Sequence, residues 1–212
     1  MYYVIRHISG KPVIANKGLI PASEAGYFPK LNGLISLAGE TDIEIFDILR
    51  DESKYKADDQ ASGCTLCAIS YKQFGFKQLQ SWINPFSEAL CHGIGSNSRA
   101  GRAKVIQLSI TEGGFVQNLI KGLMLSSMKS STPKELHDSS LVYFGKKGDT
   151  LEFKQNLRMY NTLVGYVVLV DDLGRVRWMS SGEANEEELG LLIDCALSLT
   201  PVRPLARNTK LK

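Results

Sequence analysis

Two cysteines three positions apart are the residues whose spacing most directly suggests chemistry. Cys64-Thr-Leu-Cys67 matches the C-x-x-C pattern of thiol–disulfide exchange. That exchange requires a thiolate at a helix N-terminus, where the helix dipole lowers the thiol pKa and solvent reaches the sulfur. Here the pair lies inside a short apolar run, Cys64 to Ser70, which predicts a buried strand. Residues three apart on a strand point to opposite faces, so both sulfurs are predicted to be buried and poorly placed to form a bridge.

No other group of residues forms a recognisable catalytic or metal-binding pattern. His7, His92 and His137 are scattered without the spacing of a metal site, and Cys91 beside His92 is the only adjacent pair of soft ligands. Paired acids and a Ser-His-Asp arrangement cannot be assembled with any specificity. We therefore predict no catalytic residues, no metal, no cofactor and no small-molecule substrate.

Composition and charge narrow the class of protein further. A chain of 212 residues with 43% apolar and 22% charged residues is typical of one globular domain with an appendage. The longest apolar runs are broken by Lys121 or by Asp171-Asp172, which disfavours a membrane-spanning helix. Residues 201–212 carry four cations and no acid against a net charge of +3, so the remainder is close to neutral. A nucleic-acid-binding face is disfavoured by that balance.

The elements from residue 64 onward alternate between strands and helices. Strands are predicted at 64–70, 104–110 and 141–144, and amphipathic helices follow the first two. Pro85 is predicted to divide the first of these helices, with Asn84 ending one half.

A hairpin and a closing helix follow these elements. The runs 164–170 and 175–179 are separated by a turn that ends in Gly174, and Asn185 with Glu188 resembles a capping box that opens a helix. A strand-helix-strand unit followed by a hairpin and a closing helix is the thioredoxin arrangement. The predicted fold is α/β, thioredoxin-like or peroxiredoxin-like, with a mixed sheet flanked by helices.

The predicted domain organisation has three parts. Residues 1–60 form an irregular N-terminal extension with an inserted, exposed loop at about 21–33, residues 61–200 form the thioredoxin-like domain, and residues 201–212 form a basic tail. Within the extension, the segments 13–20 and 43–49 are interpreted as two strands or as a strand and a short helix.

Two features of a redox enzyme with this fold are missing from the sequence. The stretch 71–77, where such an enzyme places its reactive thiol, contains no cysteine. The place before the hairpin, where such an enzyme carries a proline, has none, because no proline occurs between Lys134 and Thr200. An active thiol oxidoreductase using Cys64 and Cys67 is therefore the less favoured alternative, and a cytosolic binding module with an unrelated partner is a third.

Two segments resemble one known family. The run from Asn161 to Ala184, which includes Arg177, Trp178 and Gly182, and the run from Phe74 to Trp82 are similar to the mitochondrial ATP synthase assembly factor known as the "ATP ten" family. The resemblance covers about residues 64–199. It implies a thioredoxin-like domain without redox chemistry or catalytic residues.

The resemblance also implies a role in assembly of the proton-transporting ATP synthase complex. Members of the family are expected to act at the matrix side of the mitochondrial inner membrane, where peripheral contact with the membrane is possible. There they would attend newly made subunit a until it joins the ring of c subunits. The first seven residues show neither a secretory signal nor a transit peptide, so the numbering is expected to begin after the targeting segment unless the chain is cytosolic.

A chaperone for an apolar client needs an exposed apolar or methionine-rich surface of limited size. The second amphipathic helix and the loop after the first strand are candidates, and the hairpin carries the family motif. The alternatives are that the helix is ordinary core and that Trp178 anchors the hairpin. The candidate partner-binding residues are Gln73, Phe74, Gly75, Phe76, Leu123, Met124, Met128, Arg177 and Trp178.

Overall fold

A six-stranded mixed sheet with helices packed on both faces organises the computed structural model. The structure describes residues 11–50, 63–91, 103–113 and 115–200, with the side chains of all of these except 115–119. The elements are β1 (Ile35–Ser36), α1 (Ile45–Leu49), β2 (Cys64–Ser70), α2 (Gln73–Phe86), β3 (Ala103–Glu112), α3 (Phe115–Ser131), β4 (Ser140–Gly145), α4 (Leu151–Asn156), β5 (Tyr166–Asp171), β6 (Val176–Ser181) and α5 (Glu186–Leu199).

The strands follow the order β1-β4-β3-β2-β5-β6. Strands β2, β3 and β4 are parallel neighbours, whereas β5 runs antiparallel to β2 and forms a hairpin with β6. Every residue of β2 is buried, because this strand lies at the centre of the sheet with helices over both faces. The predicted α/β fold, the strands expected at 64–70, 104–110 and 141–144, and the hairpin are confirmed.

Each face of the sheet has its own hydrophobic core. One core lies under α2 and α5 and contains Trp82 and Trp178. Their rings pack edge to face, with ring centres 5.7 Å apart. The opposite core contains Phe28 and Phe153, also edge to face at 5.7 Å. Aromatic pairs with this geometry contribute about 0.5–1.5 kcal/mol beyond the area they bury.

The closing helix begins as its sequence predicts. The Asn185 side chain accepts a hydrogen bond from the backbone nitrogen of Glu188 at 2.8 Å, and the Glu188 carboxylate accepts one from the Asn185 nitrogen at 3.3 Å. This reciprocal capping box satisfies two donors that the first turn of a helix leaves free.

Pro85 does not divide the first helix, contrary to the expectation from sequence. Helix α2 runs through Pro85 to Phe86 and continues as a π-helical turn at Ser87–Cys91. Phe86 and Leu90 beyond the proline are both buried in the core under α2. Their packing outweighs the cost of about 3 kcal/mol that a proline imposes inside a helix. The π-helical turn, which is wider than an α-helical turn, begins two residues after Pro85.

The N-terminal part of the chain contributes to the same fold. Phe28 is 1% exposed and Leu31 is 7% exposed, so the expected exposed loop at 21–33 is wrong at these two residues. Backbone hydrogen bonds of 2.8 Å join Ile20 to Arg177 and Phe28 to Gly174 along the outer side of the hairpin. The segment 13–20 contains no strand, and the segment 43–49 contains the short helix α1. The three-part division of the chain stays a prediction.

Candidate functional site

The carboxyl ends of β2, β3 and β4 lie together at one edge of the sheet. In α/β sheets ligands characteristically bind outside this edge. The residues Tyr71 and Lys72 follow β2, and α2 begins immediately after them. None of the four cysteines of the chain lies in this connection. A reactive thiol is therefore missing where a redox enzyme of this fold would carry one.

The two cysteines of the C-x-x-C pattern lie inside β2, as the sequence predicts. Cys64 is 3% exposed and belongs to the core under α2, whereas Cys67 is 1% exposed and belongs to the opposite core. Burial raises the pKa of the Cys64 thiol to about 12 and raises that of Cys67 as well. Both sulfurs are free thiols on opposite faces of one strand. This geometry does not support the alternative of thiol–disulfide exchange through Cys64 and Cys67.

A contact between two glycines fixes the start of α2 against the loop that precedes β5. A Cβ built on Gly75 would lie 2.8 Å from the nitrogen of Gly165 and 2.8 Å from the carbonyl carbon of Val164. A Cβ on Gly165 would lie 2.6 Å from the carbonyl oxygen of Gly75. The Gly165 nitrogen also donates a hydrogen bond of 3.1 Å to the Gln78 side chain. Side chains are excluded from this contact, which holds two backbone segments together at the candidate edge.

Helix α3 lies beside α2, and its described side chains are not buried. None of its side chains from 120 to 131 is buried, and Leu123 is 74% exposed. Met124, Leu125 and Met128 are each only partly buried. The interpretation of this helix as ordinary core is therefore wrong for the part whose side chains are described. Its apolar residues are available for contact with another molecule.

A groove of about 490 Å³ separates α3 from α2 at the candidate edge. Its volume lies within the range of ligand pockets. Gln73 and Phe76 of α2 line one wall, and Met124 and Met128 of α3 line the other. The two surfaces that the sequence suggests separately are thus brought together in one groove. Phe74 and Leu123 lie exposed beside it, at 61% and 74%, and Gly75 is buried in the contact with Gly165.

The floor of the groove is polar, which the sequence reasoning missed. In β3, Ile106, Leu108 and Ile110 belong to the opposite core. The intervening residues Gln107 and Ser109 line the groove, as does Ile110 at the end of this run. Because successive strand residues alternate between faces, this polar face was detectable as an alternation in the sequence. It explains why α3 does not pack closely here, since the sheet beneath it offers little apolar surface.

Two more exposed apolar residues at this edge escaped the sequence reasoning. Tyr160 is 75% exposed and Leu163 is 60% exposed. Both lie in the loop before β5, whose Val164 contacts the start of α2. Loop residues carry no hydrophobic periodicity, so no sequence signal identified them.

Arg177 and Trp178 are buried residues of β6 that hold the hairpin to the rest of the fold. Arg177 is 6% exposed and donates hydrogen bonds of 2.9 Å to Asp171 and 2.8 Å to the carbonyl oxygen of Ile20. Trp178 is fully buried, and its indole nitrogen donates to the carbonyl oxygen of Asn16 at 2.8 Å. Of the two roles that the sequence left open for Trp178, its burial favours the anchor. The specific motif of the hairpin thus stabilises the fold, and burial argues against a direct contact of either residue with a partner.

A charged cluster stands at the same edge as the groove. The Glu112 carboxylate accepts hydrogen bonds from the Thr150 hydroxyl and, at 2.9 Å, from the Lys154 ammonium. The same ammonium lies 5.6 Å from the ring centre of Tyr71. Burial raises the pKa of Glu112, but the hydrogen bonds from Thr150 and Lys154 and the Lys154 charge hold that pKa below its ordinary value. The cluster joins β3 to α4 and leaves its charges neutralised.

The described residues contain neither a metal-binding cluster nor a membrane-spanning helix. No group of three or more His, Cys, Asp and Glu side chains is placed to hold a metal ion within the part of the chain that the structure describes. Over the same part, every helix is too short or too polar to cross a bilayer. His7, His92 and the basic tail at 201–212 lie outside the described residues.

Comparison with known proteins gives consistent relatives. A sequence model of the family described as ATP10 protein matches residues 2–199. The mitochondrial ATPase complex subunit ATP10 of Eremothecium gossypii is 24% identical over 193 residues, 90% of this chain. The protein of the same name from Candida glabrata is 24% identical over 187 residues, 88% of this chain. The chain spans 63% and 62% of the length of these two relatives.

Solved structures show a similar fold at low sequence identity. BsSco, a member of the Sco family of cytochrome c oxidase assembly proteins, aligns with a TM-score of 0.50 and 11% identity over 83% of this chain and 95% of BsSco. A secreted thiol-disulfide isomerase from Corynebacterium glutamicum aligns with a TM-score of 0.48 and 12% identity over 86% and 90% of the two chains. The structure has a thioredoxin-like fold with a groove at the carboxyl edge of its parallel strands. The family model matches almost the whole chain, and the chain therefore belongs to the ATP10 protein family.

Proposed function

We propose that this chain is a non-enzymatic assembly chaperone of the mitochondrial ATP synthase. Its client is the newly made, hydrophobic subunit a of the proton channel, which it attends until that subunit joins the ring of c subunits. The relatives named as mitochondrial ATPase complex subunits support the choice of complex. The choice of subunit a follows the resemblance of the hairpin and α2 segments to the assembly-factor family.

The observation that carries this proposal is the unburied apolar side of α3. A helix of 17 residues whose described side chains are all exposed or partly buried gains little from packing against its own domain. Methionine side chains are flexible and polarizable, so they adapt to an irregular apolar partner and release it later. Met124 and Met128 provide such contacts in the wall of the groove. Reversible contact of this kind suits a chaperone better than a permanent subunit.

The burial of both C-x-x-C thiols supports a non-enzymatic role over the oxidoreductase alternative. The C-x-x-C cysteines are buried on opposite faces, and the connection after β2 contains Tyr71 and Lys72 in place of a nucleophile. With the pKa of Cys64 raised to about 12, the thiolate that exchange requires is scarce at physiological pH.

A location at the matrix side of the inner membrane is part of the proposal. The candidate edge presents exposed Phe74, Tyr160 and Leu163 next to the exposed cation Lys72. Aromatic and apolar side chains mixed with lysine suit the interface between a bilayer and water. Peripheral contact at this edge would place the groove where a membrane-embedded client emerges.

The test is photo-crosslinking in mitochondria that are synthesising ATP synthase. A photoreactive amino acid is placed at Leu123 beside the groove and, as a matched control, at Ile14, which is 57% exposed and does not line the groove. We expect newly made subunit a to crosslink to the Leu123 position and not to the Ile14 position. Crosslinking of the two positions to an equal extent, or of neither, would contradict the proposal.

A charged side chain at Leu123 tests whether the same surface is needed for assembly of ATP synthase. Leu123→Glu changes an exposed residue, so its effect on stability should stay within about 0.5 kcal/mol. We expect it to reduce the yield of assembled ATP synthase at least several-fold, whereas Ile14→Glu, at a similarly exposed residue away from the groove, leaves the yield unchanged. Native gel electrophoresis of labelled complexes measures both yields.

A further inference from the structure

The groove has an unusual combination of lining residues for an apolar binding site. Among the residues that the structure describes, Lys72 is the one charged residue that lines it, and apolar side chains are supplied by residues such as Phe76, Met124 and Met128. Uncharged groups that form hydrogen bonds line it as well, among them Gln73, Gln80, Gln107, Ser109, Ser127 and Ser140.

The amide side chains in this lining are not used by the fold. Gln80 and Gln107 are partly buried, and neither amide makes a hydrogen bond to another group in the described part of the chain. Each amide offers two donors and one acceptor oxygen. Amides at a solvent-accessible wall bond to water, and an occupant that displaces the water has to replace those hydrogen bonds.

The lining therefore discriminates between three kinds of occupant. A purely apolar helix would cover Gln80 and Gln107 and leave their amides without partners. A charged segment would lose its hydration and find a countercharge only at Lys72. A helix with an apolar body and uncharged hydrogen-bonding side chains on one side satisfies both the methionines and the amides.

We infer that the groove binds a membrane-type helix of this third kind, with serine, threonine, asparagine or glutamine side chains directed at Gln80 and Gln107. The occupant is a helix because a segment that leaves a bilayer has its backbone hydrogen bonds satisfied internally. Polar side chains join such helices to one another inside membranes. The groove thus covers the polar stripe of an incomplete membrane subunit until its final neighbours arrive. This inference rests on the proposed function and specifies which part of the client is bound.

Binding of synthetic helices to the whole chain in detergent micelles tests the inference. One labelled peptide is a leucine-alanine helix of about 20 residues with lysine ends. A second carries glutamine and serine at helical positions i, i+4 and i+7, and a third carries aspartate there. We expect the second peptide to bind about tenfold more tightly than the first, because a covered amide without a partner weakens binding by about that factor. The aspartate peptide should bind more weakly than the second.

The chain variants identify the groups responsible. Gln80→Leu combined with Gln107→Leu should remove the preference for the polar peptide, whereas Gln155→Leu, on the exposed surface of α4, should keep it. Circular dichroism checks that each variant retains the fold.

The outcomes separate this inference from the proposed function. Equal binding of the apolar and polar peptides, the strongest binding by the aspartate peptide, or a preference that survives the double variant would overturn the inference. If subunit a still crosslinks at Leu123 in mitochondria, the proposed function then stands. Failure of all peptides to bind together with loss of that crosslink would overturn both.

Discussion

Replacing Gly75 with alanine tests the contact that fixes the groove wall. The added Cβ would lie 2.8 Å from the Gly165 nitrogen and 2.8 Å from the carbonyl carbon of Val164, so one backbone segment has to move. Overpacking of this kind costs about 1–3 kcal/mol. Alanine is favoured over glycine in a helix by about 1 kcal/mol. We therefore expect a net loss of up to about 2 kcal/mol in the free energy of unfolding.

Gly190→Ala is the matched control for this substitution. Gly190 lies in α5, and no atom lies within 4 Å of the Cβ built there. Only the gain in helix propensity applies to this site, so the free energy of unfolding should rise by up to about 1 kcal/mol. Urea unfolding measures the stability of both variants, and we expect the slope of unfolding free energy against urea concentration to be unchanged. If Gly75→Ala stabilises the protein as Gly190→Ala does, the close backbone contact does not exist.

A double variant tests whether the two glycines act on the same contact. A Cβ on Gly165 would meet the Gly75 carbonyl oxygen at 2.6 Å and the Leu79 side chain at 2.7 Å. Once one alanine has pushed the segments apart, the second meets a wider gap. The combined loss of stability should therefore be smaller than the sum of the single losses, and an additive result would contradict a shared contact.

Three further predictions concern the core and the charged groups. Asp171→Asn should reduce the free energy of unfolding by about 3–5 kcal/mol, because its fully buried carboxylate accepts hydrogen bonds of 2.9 Å from both Arg175 and Arg177; a loss below about 1 kcal/mol in urea unfolding would show that these charges are not paired in solution. In titration of the native protein with a thiol reagent, the half-buried Cys91 should react before Cys64, whose pKa is raised to about 12 by burial; since unfolded thiols ionise near pH 8.5 and the folded Cys64 thiol does not, stability should fall as pH rises above about 8.5, and fast reaction of Cys64 would refute its burial. Glu112→Gln should weaken the loss of stability between about pH 5 and 3, because the lowered pKa of Glu112 gives a contribution that is present above the unfolded pKa and disappears as pH falls through the folded pKa; an unchanged acid profile would exclude this carboxylate as a source of that loss.

Elements with a local sequence signal were predicted well. The apolar run of β2, the hairpin with its Gly174 turn and the Asn185 capping box all depend on neighbours within a few positions. Their local energetics agree with the final structure. Pro85 was interpreted wrongly because tertiary packing of Phe86 and Leu90 outweighs its local preference. Phe28 was missed because a single buried aromatic residue in an irregular segment produces no period.

The candidate site was predicted only in pieces. The sequence singled out residues on α2 and on α3 separately, because each set has a local signature. Their meeting across one groove depends on the sheet order and on the crossover of α3, which no local pattern specifies. The polar floor was visible in β3 as an alternation of Gln107 and Ser109 with apolar residues, but its meaning required knowing which face α3 covers.

The polar floor, together with the unburied side chains of residues 120–131 above it, is not what folding alone requires. Both cores of the sheet are closely packed elsewhere, with Trp82, Trp178 and Phe28 almost completely buried. A stable domain would gain from apolar residues at Gln107 and Ser109, because α3 could then settle onto the sheet. Local choices that oppose stability while the rest of the fold is consistent are characteristic of functional sites. The groove is thus better explained by an external occupant than by the requirements of this chain's own folding.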